Sequence, residues 1–229
     1  MDFAVIFDSD GVVVDSEPFS LSAFRRAASE QGVELSDEDV MANCGLTDAD
    51  IIDYIRDKFG VSINLERFHH RKQELYEQLI ENGELRPCPG AVQLLDGLDG
   101  GKIPYALASS GSKRKIGLNL VYTGLLDRFP VIISGEDMER GKPHPDIFLL
   151  AAERLGMEKD RCVVIEDSLN GIDAAHRAGM LCVAVTGTFP PDTLSRADFI
   201  VESLLQITVG ELRSLLLNKN LSKGGNGSC

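Results

Sequence analysis

The chain has 229 residues, 43% of them hydrophobic, enough to bury one full core and a small second one. Such a composition excludes a disordered or fibrous protein. With 23 Lys+Arg against 36 Asp+Glu the formal net charge is -13, so most of the surface repels nucleic-acid phosphate and anionic lipid. Neither nucleic acid nor membrane is an expected partner, no stretch reaches membrane-spanning length, and an anionic substrate must be met by a local exception.

In chain order, short apolar or β-branched runs recur at Phe3–Phe7, Pro104–Ala108, Val131–Ser134, Cys162–Ile165 and Leu181–Val185. Runs of this kind suit a parallel sheet covered on both faces. Helical patterns at Lys113–Tyr122, Asp146–Leu155 and Asn170–Ala178 alternate with them, which predicts an α/β core. The rhythm breaks between Ser16 and Glu84, where helical patterns at Leu21–Glu30, Asp48–Phe59 and Leu65–Leu79 appear without a strand. The expected organisation is a Rossmann-like parallel-sheet core over 1–15 and 85–217, an inserted α-helical cap over 16–84, and a polar, glycine-rich disordered tail over 218–229.

Five cysteines, at 44, 88, 162, 182 and 229, form no close-spaced metal or redox pair. The start of the sequence carries no basic flank or cleavage site ahead of Phe3, and together with the unpatterned cysteines this makes the reducing cytoplasm the expected location. Nothing in the pattern demands a dimer, so a monomer is expected.

In an open α/β sheet ligands bind beyond the carboxyl ends of the strands. Asp8 and Asp10 follow the first run, Ser109 and Ser110 the second, Lys142 comes after the third, and Glu166 and Asp167 end the fourth. Four carboxylates on one rim repel one another unless a cation sits among them, and hard oxygens without His or Cys select Mg²⁺. A carboxylate can attack phosphorus while a second one protonates the leaving oxygen and then activates water. Asp8 suits the first role and Asp10 the second. Ser109 supplies a hydroxyl donor and Lys142 a cation for the phosphoryl oxygens, with Ser110 a further candidate for phosphate contact.

The stretches DSDGV, ASS, GKPHPD and VIEDS resemble, in order, the four motifs of the haloacid-dehalogenase-like hydrolase superfamily. The helical insertion is similar to that of its β-phosphoglucomutase and phosphoglycolate-phosphatase branch. The resemblance implies Asp8 as nucleophile, Asp10 as general acid/base, and Ser109 and Lys142 on the phosphoryl group. It also implies Asp8, the Asp10 carbonyl, Glu166 and Asp167 around Mg²⁺, and a candidate cis bond before Pro143. The second aspartate separates the chain from the superfamily's dehalogenases.

Where the sugar-phosphate mutases carry a cap histidine and arginine, this chain has Ser20 and Asp48. Hydrolysis of a small phosphorylated metabolite is therefore the expected reaction. The alternatives are a β-phosphoglucomutase-type mutase and a non-catalytic phosphometabolite-binding protein. An acidic cap loop around Gly45–Asp48 is expected to disfavour a second phosphate, and Ser9 stands where similar sequences carry an apolar residue.

Overall fold

The computed structural model describes residues 3–43 and 48–224. The chain divides into two compact units, one of residues 1–15 and 86–229, the other of residues 16–85. The first is built on six strands, β1 (Ala4–Phe7), β2 (Tyr105–Ala108), β3 (Ile132–Ile133), β4 (Cys162–Glu166), β5 (Leu181–Val185) and β6 (Phe199–Val201). Their order is β3-β2-β1-β4-β5-β6 and every pair is parallel. This is the Rossmann-like α/β sheet expected from the alternating runs.

The second unit contains α1 (Glu17–Ser29), α2 (Asp37–Ala42), α3 (Asp48–Phe59) and α4 (Leu65–Asn82). Pro18 sits in the first turn of α1, where its missing N–H costs nothing. Asn64 caps α4 by accepting from the Arg67 N–H at 2.9 Å. The helix then buries Phe68, Leu75, Tyr76 and Ile80, one stripe at helical spacing. Phe68 meets Phe24 of α1 edge to face, with ring centroids 6.2 Å apart.

The remaining helices, α5 (Ala91–Gly100), α6 (Lys113–Tyr122), α7 (Asp146–Leu155), α8 (Leu169–Ala178) and α9 (Val209–Gly224), belong to the sheet unit. Alternate residues along the strands, including Ala4, Ile6, Ala106, Val164 and Cys182, pack with Phe148 and Ala151 of α7 and Ile172 and Ala175 of α8. The small side chains let these helices approach the sheet closely. Phe7, Tyr105 and Phe129 form a second aromatic group, each pair edge to face.

Three helices and a strand go beyond the sequence reading: α2, α5, α9 and β6. The tail expected from Asn218 is corrected as well, because α9 runs on through Gly224. Leu212 and Leu216 are buried one turn apart, and Lys219 donates to the Met180 carbonyl at 2.9 Å and to Asp198 at 2.9 and 3.1 Å. Lys219 thus ties the helix to β5 and its neighbour Asp198; residues 225–229 lie outside the described residues. Among the described residues no helix is long and apolar enough to cross a membrane.

Candidate active site

The sheet order reverses at β1, which lies between β2 and β4 although β2 and β3 extend the other way. Chain crossovers part at such a point and leave a crevice at the carboxyl ends of the strands. Asp8 enters it directly from β1, held by its backbone N–H, which donates to the Ile165 carbonyl of β4 at 2.9 Å. Gly11 follows with a φ of 77°, and a Cβ on it would lie 2.1 Å from the Asp167 carboxylate. Only glycine fits there, for backbone and for space.

Lys142 is the centre of the charge arrangement. Its ammonium donates to Asp8 Oδ1 at 2.5 Å, to Glu166 Oε1 at 2.6 Å and to the Ala108 carbonyl at 3.2 Å, and it lies 4.9 Å over the Phe148 ring. The Lys142-Pro143 bond that leads from it is cis, as the resemblance implied. Burial works against the lysine's charge, yet Asp8 and Glu166 together hold the ammonium well above its ordinary range. Asp8 goes the other way. Burial pushes its carboxyl up from 3.8 to about 7; Lys142 opposes this, while Glu166 and Asp10 add to it.

Glu166 closes β4 fully buried, and its Oε2 accepts from the backbone N–H groups of Asp167 and Ser168, each at 2.8 Å, and from the Ser168 hydroxyl at 2.9 Å. Ser168 also caps α8 by accepting from the Gly171 N–H at 3.1 Å. Asp167 receives a short hydrogen bond from the Thr188 hydroxyl. Ser109 is buried, with its N–H bonded to the Ile133 carbonyl and its hydroxyl oxygen accepting from the Gly111 N–H at 3.1 Å, so the hydroxyl proton remains for a ligand. Ser110 is exposed, and the cap of α6 is Ser112, which accepts from the Lys115 N–H at 3.2 Å.

Asp10 is gripped from α6. Its Oδ2 accepts from the Lys115 ammonium at 3.0 Å and its Oδ1 from the Asn119 amide at 3.2 Å. Lys115, Asn119, Thr188 and Phe148 are absent from the sequence reading. Lys115 and Asn119 were legible as an i, i+4 pair on the helix after the serine loop, and Thr188 as a polar residue just past the fifth apolar run. No sequence signal singles out Phe148.

The donor set is chemically suited to a hard divalent cation. It offers carboxylate oxygens with neither His nor Cys, and the buried carboxylates of Asp8, Glu166 and Asp167 outnumber the buried ammonium of Lys142. The same negative excess reaches Cys88, whose thiol is pushed up to about 12 by burial and then by Asp15, Asp167, Asp10 and Asp8. Among the described residues no three such side chains form a ready metal cluster; Lys142 bridges Asp8 and Glu166 instead.

In the helical unit, Asp48 is bonded to His69 Nδ1 at 2.5 Å and, by a short contact, to the Lys72 ammonium. Burial alone would raise its carboxyl, but Lys72 and His69 hold it below the ordinary range. The negative charge expected of this loop is thus matched locally, with His69 and Lys72 as the partners of Asp48. Residues 44–47 of the loop lie outside the described residues.

The profile of the haloacid dehalogenase-like hydrolase family matches residues 5–185. The chain belongs to that family. It is 32% identical over 181 residues to the phosphorylated carbohydrates phosphatase of Thermotoga maritima, covering 77% of this chain and 82% of that one. It is 31% identical over 214 residues to hexitol phosphatase A of Escherichia coli K12, covering 89% and 92%. Among solved structures, β-phosphoglucomutase from Clostridium difficile is similar, with a TM-score of 0.82 and 27% identity over 96% of this chain and all of that one. The chain is thus a hydrolase, an enzyme of the phosphatase-rich part of this family.

Proposed function

We propose that this enzyme is a Mg²⁺-dependent phosphomonoesterase that hydrolyses a small phosphorylated metabolite, a sugar phosphate or a similar compound, through an aspartyl-phosphate on Asp8. The observation that carries the reading is the buried Asp8 carboxylate at the sheet's switch point with an ammonium on one of its oxygens. Lys142 holds Oδ1, so Oδ2 is the oxygen that attacks. The P–O bond to the leaving group breaks as the Asp8–phosphorus bond forms, and Asp10 gives its proton to the departing oxygen. Asp10, now a carboxylate, takes a proton from water as that water's oxygen attacks phosphorus. Asp8 is then restored and inorganic phosphate leaves.

The Ser109 hydroxyl and the Lys142 ammonium donate to the phosphoryl oxygens, where charge is concentrated during transfer. Ser110, on the exposed side of the same loop, is a further donor. Asp8, the Asp10 carbonyl, Glu166 and Asp167 would hold Mg²⁺, which supplies charge neutralisation to the phosphoryl oxygens. The sugar-type substrate is supported by the names of the relatives, which are phosphatases of phosphorylated carbohydrates and hexitols.

Phosphate release from a panel of sugar phosphates, polyol phosphates, bisphosphates and nucleotides tests the proposal, with EDTA and Asp8→Asn in parallel. Release that requires metal and disappears in Asp8→Asn is the expected result. Release that survives Asp8→Asn overturns the mechanism. Conversion of β-glucose 1-phosphate to glucose 6-phosphate without net phosphate release would place the chain with the mutases instead.

A further inference from the structure

We infer that Lys115 and Asn119 are positioning residues for Asp10, dedicated to its two proton transfers. The inference rests on the acid/base role proposed for Asp10. It starts from α6, whose first turn is fixed to the Ser109–Ser112 loop by the cap bond from Lys115 N–H to Ser112. Lys115 and Asn119 are four residues apart and so lie one above the other on the same helix face. That face takes both oxygens of Asp10, one each, at 3.0 and 3.2 Å.

The pairing is asymmetric in its surroundings. Asn119 is buried, whereas Lys115 and Asp10 retain side-chain exposures of 29% and 24%. A part-buried ion pair of this kind adds only modestly to stability. Its chemical consequence is larger. An ammonium has three donors and no acceptor, and the Asn119 nitrogen facing Oδ1 is a donor as well. A protonated Asp10 therefore cannot direct its proton toward α6. The proton must point at the leaving oxygen in the first step and come from the attacking water in the second. The two contacts also hold the carboxylate in one rotamer between the steps.

Positioning of this sort shows in turnover more than in binding. With p-nitrophenyl phosphate as probe, whose leaving group departs without a proton, Lys115→Met is expected to keep the initial burst of p-nitrophenol and slow the steady state. With a hexitol phosphate both steps need Asp10, and kcat is expected to fall about ten- to a hundredfold with KM little changed. Lys115→Arg recovers part of the loss. Lys113→Met, on the same helix but paired with Asp137, keeps full activity.

A double-mutant cycle makes the assignment specific. In an Asp10→Asn background Lys115→Met should have no further effect, because its role runs through Asp10. Multiplicative losses from the two substitutions, or a Lys115→Met enzyme with parental kcat and only a lowered Tm, would overturn the inference. Failure of the underlying mechanism looks different: Asp8→Asn would then remain active.

Discussion

The Cα of Gly171 faces the Glu166 carboxylate so closely that a Cβ there would lie 1.8 Å from the carboxyl carbon. Glycine near the start of a helix is otherwise a poor choice, and alanine would gain about 1 kcal/mol in helix propensity. The carboxylate is the atom group that must yield, and it is tied to Lys142, two backbone N–H groups and the Ser168 hydroxyl. Losing two of those bonds costs about 2–4 kcal/mol, which outweighs the propensity gain. Gly171→Ala is expected to lower Tm and to weaken Mg²⁺ binding, measured by calorimetric titration, with a larger loss in kcat than in KM. An unchanged Mg²⁺ affinity would separate Glu166 from the metal site.

The titration of Asp8 sets a pH dependence whose sign can be worked out. Its carboxyl is at about 7 in the folded, metal-free protein against 3.8 ordinarily, so between those values the folded state holds a proton that the unfolded chain has released. Metal-free stability therefore falls as pH rises through that window and levels off above about 7. With Mg²⁺ held by Asp8 as proposed, binding requires the ionised carboxylate, so the expected affinity rises with pH and flattens above the same point, changing by up to about tenfold per unit below it. Titrations of Mg²⁺ on either side of neutrality check this, and an affinity indifferent to pH would remove Asp8 from the ligand set.

Much of this site was legible because its residues follow strand ends, and strands buried on both faces announce themselves as apolar runs. Asp8, Lys142 and Glu166 do meet, as their positions suggested. What the runs hid was the pairing: Lys142 was expected on the phosphoryl group, and its bridge between two buried acids is visible only once β1 and β4 are adjacent. Asp48 was read as a loop acid because its partners His69 and Lys72 lie about six turns of sequence away on another helix. β6 was missed for a different reason. With three residues and an exposed Phe199, it has too little pattern to recognise.

The end of α9 gives a third test. Asp198 accepts from the Cys182 N–H at 2.8 Å and from Lys219, and although burial opposes its charge these partners hold its carboxyl below the ordinary range. A depressed carboxyl contributes stability above its unfolded pKa that is lost as pH falls through the folded one. Lys219→Met should cost about 1 kcal/mol near neutrality, the upper end for a half-exposed pair. Asp198→Ala should cost about 1–3 kcal/mol, because it also strands the Cys182 N–H. Denaturant unfolding at neutral and acid pH reads both. Equal losses at the two pH values would rule out the ionic contribution.

Ser9 lies fully buried between Asp8 and Asp10, and its hydroxyl has no hydrogen-bond partner. It sits in the turn after β1, where its carbonyl accepts from the Val13 and Val14 N–H groups, each at 2.9 Å. A buried hydroxyl without a partner costs about 1–3 kcal/mol, whereas removing one oxygen leaves almost no cavity. Ser9→Ala should therefore raise Tm, by about 2–4 °C for each kcal/mol recovered in a protein of this size, with kcat/KM unchanged. A lowered Tm would mean that the hydroxyl is satisfied by a buried water, and a lowered kcat with intact Tm would mean that this hydroxyl fixes the backbone that aims Asp8.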